Sequence, residues 1–321
     1  MLLRRTPGAL AGLAALAVLT GCTGSTSAPA AAASTVPVSS APAPTASLSG
    51  AAPSAAAPAP AAHRPALQAV AGAILGGVPA RPDRSTVGSS VAAVTAKRDK
   101  AHRLAGLTIV LDPGHNGANG ANPARLNAPV PAGGFTKPCN TAGAETNAGY
   151  AEHAFNWDVV NRAAALLRAA GAKVVLTRHS DTGFGPCVNV RAAIGNAAHA
   201  DAVVAVHADG AAASAYGFHV IAPALAPDHG NARILASSWA LAKAVHTAFH
   251  TVAGEPYSTY VSGGLTRRSD LAGLNLSRVP TIFIECANMR NAADAHRVTS
   301  AAWRQRAAAG IVAGVTAFLH R

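Results

Sequence analysis

Four residues of the 321-residue chain combine a type and a setting that suit hydrolytic chemistry: His115, Glu152, His207 and Glu285. His115 ends the tetrapeptide Asp112-Pro113-Gly114-His115, at the close of the apolar run LTIVLD (107–112). His207 follows the run AVVAV (202–206), and Glu285 follows TIFI (281–284). Glu152 stands in the first turn of a segment with helical periodicity, one turn before Asn156, so it can face inward. Two histidines and a glutamate around an open position form the ligand set of a hydrolytic zinc site. Glu285 is then the carboxylate beside the water that such a centre activates. Glu145, seven residues before Glu152, is a rival ligand.

These residues need elements that bring them to one place. Short apolar runs at 107–112, 173–177, 202–206, 217–221 and 281–284 read as strands. Helical patterns occupy 151–170, 191–199, 233–252 and 301–319, the first with Phe155, Val159, Ala163, Leu166 and Ala170 on one face and Gly171 as its stop. The alternation predicts one α/β layered domain, a mostly parallel central sheet flanked by helices. In such sheets, polar residues just past the carboxyl ends of strands converge on one edge. That edge is where His115, His207 and Glu285 are expected.

Asp112-Pro113-Gly114-His115 after a strand, Glu152 with Asn156, Val206-His207-Ala208, and Pro280 through Glu285 with Asn291 and Asp294 together resemble the zinc-dependent N-acetylmuramoyl-L-alanine amidases of the amidase_3 family, which are peptidoglycan hydrolases. Leu176-Thr177-Arg178 with Asp181, and Arg191 through Asn196-Ala197, agree with it. The resemblance covers residues 106–320 and implies one Zn2+ per chain, held by His115, Glu152 and His207, with Glu285 as the catalytic glutamate. It implies peptidoglycan as substrate, cut at the amide between N-acetylmuramic acid and L-alanine. Three positions depart from the family pattern: Asn116-Gly117 after the tetrapeptide, Asp209 after the second histidine, and Cys286 through Met289 after the glutamate. None removes a ligand or the catalytic carboxylate.

Composition sets the surroundings. Lys and Arg total 26 against 14 Asp and Glu, a net charge of +12. Residues 101–321 carry 18 of these cations against 12 acids, which favours approach to an anionic wall. One apolar run of near-spanning length excludes a polytopic membrane protein, and four cysteines are too few for a disulfide scaffold. No G-x-S-x-G, HExxH or P-loop pattern occurs, and the export signal argues against a nucleic-acid partner.

Residues 1–22 read as a secretory signal peptide: Arg4 and Arg5, an apolar stretch, then Leu19-Thr20-Gly21-Cys22, which resembles a bacterial lipobox. Lipidated Cys22 would anchor the chain to the outer face of the cytoplasmic membrane, facing the cell wall. Residues 23–102 form a tether and transition segment; in 23–62, Ala, Ser, Pro and Thr make up 35 of 40 positions, too few large apolar groups to offset ordering entropy. The catalytic domain is then 103–321. Cys139, in a loop, and Cys187, before a helix, are expected to pair, leaving Cys286 buried beside Glu285. Their 48-residue separation corresponds to about 4 kcal/mol in loop-entropy accounting. Residues 116–150 lack periodicity and join the first ligand to the second, so they are expected to shape the substrate groove. Two other readings stand beside the amidase: a non-catalytic cell-wall binding or regulatory lipoprotein on the same fold, and another zinc hydrolase such as a peptidase or deacetylase.

Overall fold

The computed structural model describes residues 103–320. The expected signal peptide of 1–22, with Cys22, and the expected tether of 23–102 lie outside the described residues. No described helix is long and apolar enough to cross a membrane.

Six strands form the central sheet: β1 (Thr108–Pro113), β4 (Lys173–Leu176), β5 (Ala202–Asp209), β6 (His219–Pro223), β7 (Leu265–Arg268) and β8 (Thr281–Asn288). Their order is β4-β1-β5-β8-β6-β7. Four pairings are parallel, and β6 runs antiparallel to β8. The expected mostly parallel α/β sheet is present, with a reversed pair at one side. β7 (LTRR) ends the sheet with Arg267 and Arg268 exposed, a charged edge that discourages further strand pairing.

Helix α2 (Glu152–Ala169) buries Phe155, Val159, Val160, Ala163, Ala164 and Leu167 against the sheet. Its stripe is rotated slightly from the expected one, so Leu166 and Ala170 are only half-buried. Gly171 takes φ +91° just past its end, the left-handed stop that glycine tolerates best. Helices α4 (Leu235–Ala253) and α7 (Ala301–Leu319) pack closely on the same sheet face. Gly314 permits this: a Cβ there would lie 2.4 Å from Val245 Cα. Trp303 of α7 is buried between Phe155 and Phe249, with ring centroids 6.2 and 6.3 Å away. The opposite face is covered more thinly, by α3 (Val188–Ala197) and the short α5 (Ala272–Asn275). Helix α3 starts three residues before the sequence pattern suggested.

The stretch 116–150, expected to be irregular, contains a short helix α1 (Pro123–Leu126) and an antiparallel hairpin of β2 (Pro129–Pro131) and β3 (Thr136–Pro138). Three-residue strands are too short to leave a periodic signature. Cys139 and Cys187 are disulfide-bonded, and Cys286 is free and buried.

One buried charge cluster lies beyond the sheet. Glu255 and Asp294 of α6 (Ala292–Thr299) are both fully buried and share the guanidinium of Arg297. Asp294 also accepts the backbone N–H groups of Gly217 at 2.8 Å and Asn288 at 2.9 Å. Glu255 has no such donors; Arg297 Nε lies 2.8 Å from its Oε2 without hydrogen-bonding alignment. Burial, and then the charge of Asp294, push the Glu255 carboxyl up to about 8. The folded protein therefore holds more protons than the unfolded chain between the ordinary carboxylate range and pH 8, and its stability falls as pH rises through that window. Urea unfolding of Glu255→Gln is expected to show a shallower decline between pH 5 and 8 than the native chain. Parallel pH profiles for the two proteins would contradict this.

Candidate metal centre

The sheet delivers two of the four residues as a cross-strand pair. His207 of β5 and Glu285 of β8 are register partners, and His219 of β6 pairs with Glu285 from the other side. Both strands run further than expected, β5 to Asp209 and β8 to Asn288, so His207 and Glu285 lie within strands rather than past their ends. Each is a central strand with a neighbour on both sides, and the ladder continues through the polar residues. The pairing shifts between His207 and Asp209, a bulge-like irregularity of the kind that re-aims side chains beside sites. Phe283 shares the face of Glu285, and its ring stacks on His207 with centroids 5.2 Å apart.

Glu152 joins from the N-terminus of α2. Its Oε2 lies 3.0 Å from His115 Nε2, and its Oε1 lies 3.0 Å from His207 Nδ1. Backbone N–H groups of Ala144 and Ala208 donate to the same carboxylate at 2.7 and 3.1 Å, and Asn156 Nδ2 donates at 3.3 Å. Burial alone would raise its pKa, but His115 and His207 hold it well below the usual range. Glu145, the rival, is exposed and lies outside this cluster.

His115 sits at φ +60°, uncommon for a residue with a Cβ, so the surroundings must impose it. Two buried arginines do so. Arg191 Nη2 donates to His115 O at 2.7 Å and Nη1 to Pro113 O at 2.8 Å, while Arg178 Nε donates to Pro113 O at 2.8 Å. Arg191 also pairs with Asp112. His115 Nδ1–H donates to Thr141 O at 3.0 Å. A carbonyl can only accept, so that nitrogen carries a proton and Nε2 is the ring atom turned to Glu152.

The chemistry of this donor set fits a metal ion. One donor atom each from His115, Glu152 and His207 lies within 4.8 Å of the others. Three donors about 2.0–2.2 Å from a tetrahedral ion would stand roughly 3.3 Å apart. The groove before them, about 500 Å³, also carries Asp209, Arg268, Leu271 and Glu285. Burial, then the charges of Glu152 and Asp209, push the Glu285 carboxyl well above the usual range, against the opposing pull of Arg268. Burial holds His219 down to about 4, so it stays neutral beside Glu285.

Comparison with known proteins agrees with this geometry. The Amidase_3 family model, described as N-acetylmuramoyl-L-alanine amidase, matches residues 109–317. The chain belongs to the Amidase_3 family of N-acetylmuramoyl-L-alanine amidases. It is 43% identical over 220 residues to N-acetylmuramoyl-L-alanine amidase Rv3717 of Mycobacterium tuberculosis, covering 67% of this chain and 88% of the relative. The solved structure of the amidase Ami1 from Mycobacterium smegmatis is similar at 40% identity and TM-score 0.63, covering 67% of this chain and 98% of that one. The apo form of Ami1 from Mycobacterium abscessus is similar at 40% identity and TM-score 0.62, covering 67% and 100%.

In this amidase, sequence reasoning brought forward all four residues now found around one groove. It missed Phe283, which period-two spacing from Glu285 could have found. It gave His219 no role and missed Thr141, because the neighbours of both are distant in sequence. Arg178 and Arg191 entered only as parts of motifs; their clamping of the His115 turn follows from burial that no local pattern reveals. Gly114 is equally silent in sequence, yet a Cβ there would lie 2.2 Å from the His207 ring. Gly114→Ala is expected to displace that ring and weaken metal binding at these donors about 10-fold or more, measured by chelator competition, with destabilisation of about 1–3 kcal/mol from overpacking. Unchanged affinity would show that the ring is free to move.

Proposed function

We propose that this amidase acts on peptidoglycan, hydrolysing the amide between the lactyl group of N-acetylmuramic acid and the L-alanine of the stem peptide. In this reading His115, Glu152 and His207 hold one zinc ion, and Glu285 is the proton carrier. The observation that carries it is the convergence of three ligand atoms within 4.8 Å, with Glu285 paired in register beside His207.

A zinc ion, when bound, supplies Lewis-acid polarisation of the scissile carbonyl and a water acidic near neutrality. The residues do the rest. Thr141 and Arg191 fix the His115 ring and turn, and Phe283 holds the plane of His207. Glu285 accepts a proton from the attacking water and returns one to the departing amine, whose nitrogen leaves as the free N-terminus of the stem peptide. Its raised affinity for a proton suits this second step, the delivery of a proton to the departing nitrogen. Expected products are a glycan strand bare of peptide and a free stem peptide.

The catalytic domain in this reading spans 103–321. The lipobox-like run ending at Cys22 supports membrane anchoring by lipid, and the Ala/Pro-rich segment after it supports a spacer that carries the domain toward the wall.

Mass spectrometry of muropeptides digested with the purified protein tests the reaction. Free stem peptides are expected with zinc, none after chelation, and a rate about 10²–10⁴ lower for Glu285→Ala. Cleavage at another bond would discard the substrate assignment while leaving the metal site. Anchoring has its own test: Cys22→Ala is expected to shift the protein from membrane to soluble fractions, and persistent membrane fractionation would refute the lipid.

A further inference from the structure

Two separate elements hold His115, and one covalent bond joins them. The first is the irregular segment after Cys139. Thr141 O accepts the His115 Nδ1 proton at 3.0 Å and also takes Asn119 Nδ2 at 2.7 Å. Two residues on, Gly143 takes φ +91°, where a Cβ would meet His115 Cδ2 at 2.9 Å. Ala144 N–H then donates to Glu152 Oε2 at 2.7 Å. The segment thus touches two of the three ligand residues, yet residues 140–144 belong to no strand or helix. The second element is α3, which begins just after Cys187 and carries Arg191 to the His115 and Pro113 carbonyls.

The disulfide Cys139–Cys187 connects these two elements next to both contacts, two residues before Thr141 and four before Arg191. Val188 N–H donates to Cys139 O at 2.8 Å, so the junction is backbone-paired as well. Cys139 is fully buried. We infer that Cys139–Cys187 is a positioning link for the ligand histidine: it holds the Thr141 carbonyl and the Arg191 guanidinium on either side of His115 so that Nε2 is presented beside Glu152. The inference rests on the metal reading proposed above. It assigns the bond a role in metal affinity rather than in fold stability alone, because the groups it fixes orient a ligand ring.

Zinc affinity of the oxidised protein is compared, by chelator competition, with two forms that lack the bond. One is native protein reduced by a water-soluble phosphine; the S–S bond gains two electrons, the phosphine takes oxygen from water, and two thiols remain, counted by titration. The other is Cys139→Ser/Cys187→Ser. Both are expected to bind zinc 10- to 100-fold more weakly with unchanged far-UV circular dichroism. Trp303→Ala, a core change away from the groove, serves as the control and is expected to lower stability but leave zinc affinity within threefold. Affinity within threefold in fully reduced, folded protein overturns the inference, as does an equal loss in Trp303→Ala. If the double variant fails to fold, the reduced native chain decides. Oxidised protein that binds no zinc at all overturns the metal reading itself, an outcome distinct from equal binding with and without the bond.

Discussion

The carboxylate of Glu152 is the constraint around which the site is organised. An anion removed from water is costly unless donors surround it. Here those donors come from distant parts of the chain: the backbone of Ala144, the backbone of Ala208, the side chain of Asn156 and the two histidines. Satisfying this one group therefore requires that the 116–150 stretch, β5, α2 and the His115 turn all be in place together. Burial of a single charge couples local geometry to the tertiary fold.

The same logic recurs one layer outward. His115 occupies a backbone region that a side chain resists, and two buried guanidinium groups hold it there. Those arginines are themselves neutralised by Asp112 and Asp181. Each arginine at the His115 turn is thus matched by a carboxylate, and the apolar core of α2, α4 and α7 on the opposite face provides the stability that permits a polar site on the thinner face.

Legibility in the sequence followed the range of the interactions. The strands 107–112 and 202–206 and the long helices were readable because their apolar spacing is local. His115, His207, Glu152 and Glu285 were readable because each sits beside such a run. The reversed direction of β6 was not, since strand polarity depends on the path of the connections and leaves no mark on HVIAP itself. The β2–β3 hairpin and α5 were too short for periodicity. Phe283 against His207 and Thr141 against His115 are contacts across many residues, invisible until the chain is folded. The choice of Glu152 over Glu145 rested on helix phase, and the fold places only Glu152 within reach of both histidines.

The paired register of His207 and Glu285 has a consequence for how this scaffold can vary. Adjacent strands lie about 4.8 Å apart, a spacing set by the hydrogen-bond ladder. Two side chains paired on neighbouring central strands therefore keep their separation as a property of the sheet, insulated from changes in the loops. The opposite wall of the groove comes from the irregular residues after β3, where the backbone of Thr141 and Ala144 reaches His115 and Glu152. Because those contacts use main-chain atoms, side chains on that wall can be exchanged while the two contacts persist, whereas a change in its length would move them.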